Sequence, residues 1–480
     1  MLLESLQPSR SYNADLFRCP DIALEIASLL GPSSLLRLAL TSHEAYDFII
    51  PCHLYRHVTI HHNTPETVIH DFFDALFKCG AAHYIQTFSL KVPRLPSLRA
   101  RNGGLRGLSF DVFALLLETH CLRRLLVHDS YNLFSEQPAL PMVLCDFSHL
   151  ADVDLRRVSV DQLCGLSEMR PIRRFRLEAM QSFDIGSDVA GYQEIRALLW
   201  KSRETLEFIS FSSLILRFIF LRDGGTPPAC HDSSNTTWPR VLTLRLSDCN
   251  CDDWRMDLSG TFPFVTEFHS PPTFTFAREH SNQAFLLALT RVRGPEGLFR
   301  LLSDAENKIE EAWVDDYFPY GQPYNFSSYF SPTLATLSIA INASLGHVGN
   351  SLVTLSSLCC AVPRLQRLEL RLSAGKTRFI EYIAAISPAL YSFQLVQLTV
   401  TWSYNYGGHG PLRPAGGQAQ VFKEIPSNMP SLQLLTVHVW SERRGNVHWV
   451  WKGKGRDQEF CLKELTNSEE EHRLAYDWDL

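Results

Sequence analysis

A glycine-lysine-threonine triplet, Gly375-Lys376-Thr377, is one segment of the sequence whose residue types could bind a nucleotide. A phosphate-binding loop needs another glycine five residues before Gly375, so that its backbone can curl around the phosphate groups. Leu370 occupies that position. The triplet is therefore predicted to be an ordinary loop between a strand and a helix.

A group of histidines close to Cys52 is a second candidate for chemistry, as a zinc site. Structural zinc sites close a tetrahedron of thiolate, imidazole or carboxylate ligands at short sequence spacing. Here His57 and Val58 are predicted to lie on a strand, whose successive side chains point to opposite faces. We therefore expect a structural or surface role for these histidines, which are His53, His57, His61 and His62.

No other pattern in the sequence predicts catalysis. There is no G-x-S-x-G nucleophile turn, no H-E-x-x-H helix and no G-x-G-x-x-G loop. We predict that the protein is not an enzyme and that it uses no catalytic residue, no cofactor and no metal.

Basic side chains on successive predicted strands are the remaining candidates, for binding rather than catalysis. Several arginines together could hold an acidic or phosphorylated segment through bidentate hydrogen bonds. The alternative is a solvated surface on which Asp152, Asp154 and Glu178 pair with the arginines. Trp313 is the best single anchor, because tryptophan is enriched among binding hot spots. The predicted binding arginines are Arg124, Arg156, Arg174, Arg176 and Arg245.

A repeated pattern, apolar-x-x-apolar-x-apolar, defines the elements that must position these side chains. Its last two apolar positions alternate with polar residues, which predicts a strand with one buried face. Helix-like stretches lie between many of the units. Such units bury their apolar faces only against their neighbours, so they are predicted to stack into a curved array with the flanking residues on its concave side. The matches are Ile85/Phe88/Leu90, Leu122/Leu125/Val127, Leu150/Val153/Leu155, Ile172/Phe175/Leu177, Leu206/Ile209/Phe211, Val241/Leu244/Leu246, Val265/Phe268/Ser270, Ile309/Ala312/Val314, Leu334/Leu337/Ile339, Leu365/Leu368/Leu370, Leu395/Leu398/Val400 and Leu432/Leu435/Val437.

The N-terminal segment 20–60 is predicted to form three short helices and a strand. Ile22 and Ile26 recur at helical spacing, and Gly31-Pro32 closes the first helix and opens the second. Thr41 with Glu44 is a capping-box pattern that predicts the start of a third helix. So short a segment cannot bury all its apolar side chains by itself. Either the rest of the chain or another protein must cover them.

This segment resembles the F-box domain, in the form common in fungal proteins. The segment departs from the family at one dipeptide, because the family usually opens with Leu-Pro where this sequence has Arg18-Cys19. The match runs through Pro20-Asp21-Ile22, Leu24-Glu25-Ile26, Leu35-Leu36-Arg37-Leu38-Ala39-Leu40-Thr41-Ser42 and Leu54-Tyr55-Arg56-His57-Val58.

The resemblance, taken with the repeats, implies an α/β protein with a short N-terminal helical F-box-like bundle and a leucine-rich-repeat horseshoe solenoid. It implies a substrate-recognition subunit of a cullin-type ubiquitin ligase. The bundle would dock onto a Skp-type adaptor and through it a cullin, and the concave face would hold an unknown target protein. The alternative is a repeat scaffold without a ubiquitin role, whose N-terminal helices only cap the array. The residues implied in adaptor binding are Pro20, Ile22, Ile26, Leu35, Leu36 and Leu38.

Length and composition set the remaining expectations. A chain of 480 residues is too long for one compact domain, and a net charge of -6 gives no general attraction to nucleic acid or anionic lipid. The N-terminus lacks a signal-peptide pattern and the 12 cysteines are scattered, so we expect reduced thiols and a cytoplasmic or nuclear protein without a membrane partner. The predicted divisions are a tail 1–12, the F-box-like domain 13–60, the repeats 61–442, and a C-terminal cap with an acidic tail 443–480.

Overall fold

The computed structural model of the chain describes residues 20–61, 64–91, 104–179, 189–212, 215, 237–247, 258–271, 282–318, 329–343, 346, 348–374, 379–404, 419–440 and 447–453. The predicted tail 1–12, His62 and the triplet Gly375-Lys376-Thr377 lie outside these residues, as does most of the predicted C-terminal cap. The chain divides into two compact units, and the point of division lies within the predicted repeat region. Unit 1 comprises residues 1–232 and 238–241, and unit 2 comprises residues 233–237 and 242–480.

Unit 1 begins with the three predicted helices, α1 (Pro20–Leu29), α2 (Pro32–Ala39) and α3 (His43–Ile49). Pro32 starts α2, where its missing N–H leaves no helical hydrogen bond unmade. The N-cap of α3 is Ser42, one residue after the predicted Thr41. Ser42 Oγ accepts the backbone N–H of Ala45 at 3.1 Å, whereas Thr41 Oγ1 donates to the carbonyl of Leu38 at 2.7 Å. Thr41 therefore satisfies the end of α2 and Ser42 the start of α3.

The rest of unit 1 alternates strands and helices, and each strand pairs in parallel with the next along the chain. Parallel neighbours require a crossover, which helices supply except between β4 and β5, where two short 3-10 turns (Val160–Leu163 and Leu166–Glu168) do so. The strands are β1 (His57–His61), β2 (Thr87–Lys91), β3 (Arg124–Val127), β4 (Asp152–Val158), β5 (Arg174–Ala179) and β6 (Phe208–Ser212). The further helices are α4 (Glu66–Lys78), α5 (Gly104–Glu118), α6 (Ser130–Glu136), α7 (Leu140–Cys145) and α8 (Val189–Lys201).

Unit 2 continues the same arrangement, except that its last strand runs antiparallel to the strand before it. Its strands are β7 (Thr243–Ser247), β8 (Glu267–His269), β9 (Arg291–Gly294), β10 (Glu311–Phe318), β11 (Thr336–Asn342), β12 (Arg367–Ala374), β13 (Gln397–Tyr404), β14 (Leu434–Trp440) and β15 (Val447–Lys452). Its helices are α9 (Leu258–Thr261), α10 (Gln283–Ala288), α11 (Glu296–Asp304), α12 (Val348–Ala361), α13 (Phe379–Leu390) and α14 (Ala419–Asn428).

The repeated apolar pattern coincides with strands and supplies the buried face of each sheet. Phe175 and Leu177 in unit 1 and Leu398 and Val400 in unit 2 are all fully buried, and the corresponding residues of the other matches are buried as well. Strand β9 does not fit the pattern, because Gly294 stands where an apolar side chain was expected. A Cβ there would lie 2.3 Å from Ser270 Oγ, so the neighbouring strand leaves room only for glycine.

The class is therefore mixed α/β, with mostly parallel and open sheet structure rather than a closed barrel. Of the helices that the structure describes, none combines the length and the apolar character needed to cross a bilayer.

Candidate functional site

The N-terminal helices leave large apolar side chains exposed. On α1, Ile22 and Leu29 are seven residues apart and share one helical face, with exposed fractions of 51% and 80%. On α2 and its C-terminal cap, Leu36 and Leu40 are four residues apart and are 44% and 72% exposed. We call these four residues the exposed apolar face. Leu24 on α1 and Tyr46 on α3 are exposed as well.

A small core beneath this face holds the helices together. It consists of the inward side of α1 and α2, the buried side of α3 and the turn that follows α3. Leu30, Leu38, Phe48, Leu54 and Tyr55 pack around it, partly buried. The core residues are Ala27, Leu35, Ala39, Ala45, Ile49 and Ile50.

The residues predicted to bind an adaptor therefore divide between the surface and the core. Ile22 and Leu36 are exposed, and Ile26 is half-buried, as is Leu38. Pro20 is the first residue of α1. Leu35 differs from the exposed residues of this set, because its side chain is 5% exposed and belongs to the small core. Leu29, which lies at helical spacing from Ile22, is also exposed but is not among the predicted adaptor-binding residues.

The four predicted arginines of unit 1 lie on the sheet face opposite the buried apolar positions, which we call the outward face. Strand register places Asp152 between Arg124 and Arg174. Burial raises the pKa of Asp152, and the two flanking arginines oppose that rise. The guanidinium of Arg174 also lies 4.8 Å from the centre of the Phe208 ring, at a distance suited to a cation–π contact.

One row further along the strands, Asp154 pairs with two arginines. Arg156 Nε and Nη2 donate to the two carboxylate oxygens of Asp154 at 3.0 and 2.9 Å. Arg176 Nε lies 3.9 Å from Asp154 Oδ1. At Asp154 the structure thus matches the alternative in which carboxylates pair with the arginines, and an incoming anion would share these cations with it.

The predicted binding residues of unit 2 belong to a separate charge network on its own outward face. Arg245 Nη2 donates to Glu267 Oε1 at 2.8 Å, and His269 Nε2 lies 3.1 Å from the same oxygen. Burial opposes ionisation of Glu267, but the hydrogen bonds from His269 and Arg245 outweigh it and lower the pKa of Glu267 to about 2. Arg245 is therefore held by a carboxylate of its own unit.

Trp313 lies in the same network, half-buried rather than fully accessible. Its ring centre is 6.3 Å from that of His269. The adjacent Arg293 makes two hydrogen bonds to Asp315 at 3.0 and 3.1 Å, and Arg371 Nη1 is 3.4 Å from the same carboxylate. Trp313 is thus bordered by ion pairs of its own unit.

The pairing of Glu267 predicts a measurable loss of stability in Glu267→Gln. Removing one member of a largely buried pair leaves Arg245 without its carboxylate, and we expect a loss of about 2 kcal/mol at neutral pH. Because the folded-state pKa is below the ordinary value of 4.5, this stabilisation is present above pH 4.5 and is lost as the pH falls toward 2. Urea unfolding as a function of pH measures the effect.

The control for this prediction is the pH profile of the variant itself. The difference in unfolding free energy between wild type and Glu267→Gln should shrink as the pH falls through that window. A difference that stays constant down to about pH 2 would contradict the assigned pKa.

The histidines near Cys52 do not converge on a metal site in the described residues. His53 is buried, and its Nδ1 lies 2.9 Å from Arg56 Nη2, while His57 is exposed on β1. Within the ranges that the structure describes, no group of three or more His, Cys, Asp or Glu side chains is arranged to hold a metal ion.

Comparison of the sequence with protein-family models finds no match, and comparison with curated proteins finds none either.

Proposed function

We propose that this protein is a substrate-recognition subunit of a cullin-type ubiquitin ligase. Residues 20–60 would form the F-box-like domain that docks onto a Skp-type adaptor. The strand–helix repeats would form a leucine-rich-repeat solenoid that holds a target protein on its outward faces. The observation that carries the proposal is the exposed apolar face of α1 and α2.

The presence of several large, exposed apolar side chains on α1 and α2 favours an interface. Single exposed leucines are common on protein surfaces, but groups of them mark interaction sites. Fully burying a side chain such as Leu29 or Leu40 contributes on the order of 1.5–3 kcal/mol. Several such residues on two adjacent helices would together support a stable complex.

The scaffold alternative makes a different prediction for the same residues. Helices that only capped the repeats would bury Ile22 and Leu36 against the rest of the chain. Both are exposed, by 51% and 44%, which favours the adaptor-binding role.

In the proposed role, the protein does no bond chemistry. It would raise the effective concentration of a target lysine near a charged conjugating enzyme by holding target and ligase together. The partners would be the adaptor, the cullin bound through it, and a target protein that the repeats select.

The test is binding of the purified full chain to a purified Skp-type adaptor. Ile22→Asp combined with Leu36→Asp should weaken adaptor binding at least tenfold, because each substitution places a charge in the expected apolar contact. Both positions are exposed, so the fold should persist.

A matched control comes from equally exposed apolar residues on other helices. Leu117 on α5 and Val353 on α12 are 52% and 53% exposed, and Leu117→Asp with Val353→Asp should leave adaptor binding unchanged. If the wild type fails to bind the adaptor, or if the Ile22 and Leu36 double variant binds normally, the scaffold alternative replaces the proposal.

A further inference from the structure

We propose that the outward face of unit 1 contains a binding site for an oxyanion, a phosphoryl or carboxylate group, formed by Ser89, Lys91, His128, Arg156 and Arg176. The site deepens the target-binding part of the proposed function, on which its biological use rests. It does not depend on adaptor binding.

Parallel strand register places these five residues on one face of four neighbouring strands. Ser89 and Lys91 are two residues apart on β2 and therefore share a face. His128 directly follows β3, and its backbone N–H donates to the carbonyl of Leu90 at 3.0 Å, which extends the ladder by one residue. Arg156 lies on β4 and Arg176 on β5, and both are on the outward face.

Two buried polar atoms at this place have no hydrogen-bond partner in the part of the chain that the structure describes. They are His128 Nε2 and Ser89 Oγ, and Ser89 is only 6% exposed. Buried polar groups in folded proteins nearly always have partners, so unmatched atoms on one face suggest a group that binds there. Both side chains can donate a hydrogen bond, the imidazole through whichever ring nitrogen carries the proton.

The charges around these atoms favour an anion. The groups that act on the His128 ring are Lys91 from β2, Asp154 and Arg156 from β4, and Arg176 from β5. Asp154 is the single carboxylate among them, and it is shared by the two arginines. Glu178 stands in register beside Arg156. A guanidinium that already contacts one carboxylate can still donate to a second oxyanion, because it has five N–H groups.

The protonation state of His128 provides a readout. Burial lowers its pKa to about 4, with Arg156, Lys91 and Arg176 acting in the same direction and Asp154 opposing them. The ring is therefore neutral near pH 7. A bound anion would add a negative charge beside it and raise its pKa. By linkage, anion affinity should then increase as the pH falls through the raised pKa toward 4.

The experiment follows the His128 imidazole by NMR in the full chain carrying ¹³C-labelled histidine, with His128→Gln to assign the signal. Inorganic phosphate and acetate are titrated separately at constant ionic strength, with chloride as the balancing ion. We expect a saturable shift of the His128 signal and a rise in its pKa. Saturation by phosphate alone would assign the site to phosphoryl groups, and saturation by acetate alone would assign it to carboxylates.

Two arginine variants make the test specific to this site. Arg176→Gln should weaken anion binding at least fivefold. Arg173→Gln should have no effect, because Arg173 is 61% exposed and donates to Glu207 at 2.7 Å, and it is not among the groups that act on His128. The unchanged signals of the other histidines would report that each variant is folded.

The proposal is overturned if neither anion shifts His128 beyond the effect of chloride, or if Arg173→Gln weakens binding as much as Arg176→Gln. Adaptor binding is measured separately and should be normal in Arg176→Gln. Failure of the anion titration would therefore leave the adaptor proposal standing, and failure of adaptor binding would leave the anion site standing.

Discussion

Leu35→Asp is expected to unfold the three N-terminal helices and abolish adaptor binding. Leu35 is 5% exposed in the small core beneath the exposed apolar face. Removing a buried leucine side chain costs about 2–5 kcal/mol, and a buried charge adds to that loss. A segment of this size has on the order of 2–6 kcal/mol of stability, at 0.05–0.15 kcal/mol per residue. The loss of stability caused by Leu35→Asp should therefore exceed the stability of the segment.

Hydrogen exchange of the backbone amides in residues 20–61 measures this effect directly. Protection should be lost there and retained in the strands of unit 1. The neighbouring substitution Leu36→Asp is the control, because Leu36 is 44% exposed and should change stability by about 0.5 kcal/mol or less. Equal loss of protection in both variants would contradict the assignment of Leu35 to the core and of Leu36 to the surface.

Trp402→Ala should destabilise unit 2 by about 3–5 kcal/mol, since truncating a fully buried tryptophan removes apolar burial and leaves a cavity. Trp402 is on β13, and its ring centre lies 5.0 Å from that of Phe379 and 5.9 Å from that of Tyr382, both on α13. The indole therefore joins the strand to the helix that precedes it. Guanidinium unfolding of the full chain measures the loss.

Trp402→Phe is the matched comparison, because it keeps an aromatic ring between the strand and the helix. It should cost clearly less than Trp402→Ala. Val353→Ala, at an exposed position on α12, should be close to neutral. A small effect of Trp402→Ala would contradict the role of this contact in holding β13 and α13 together.

Much of the fold was predictable because the strands are marked by local apolar spacing. Each match to the repeated pattern coincides with a strand or its end, since an alternating apolar face must be buried whatever the neighbours are. Strand β9 was not predicted from the pattern, because Gly294 occupies its second inward position. The glycine is explained by the closeness of Ser270, which only the structure shows. The antiparallel pairing of β15 with β14 also has no local signal.

Which apolar residues of the N-terminal helices are exposed was harder to predict, for a reason that Leu35 and Leu36 illustrate. The two leucines are adjacent and chemically identical, yet one lies in the small core and the other on the surface. Helical periodicity allows either assignment when both neighbours are apolar. The packing of α2 against α3 and the turn that follows α3 determines that Leu35 is the buried residue of the two.

The sequence by itself determined where most of the strands lie, that the N-terminal helices carry more apolar residues than they can bury, and that arginines recur on one sheet face. Only the tertiary structure decided which of those arginines already have carboxylate partners. Arg371 and Asp315 are 56 residues apart in the chain, and Arg176 meets Asp154 from the next strand. Such pairs depend on the register between strands, which forms only when the strands pair, and short-range sequence patterns do not encode it.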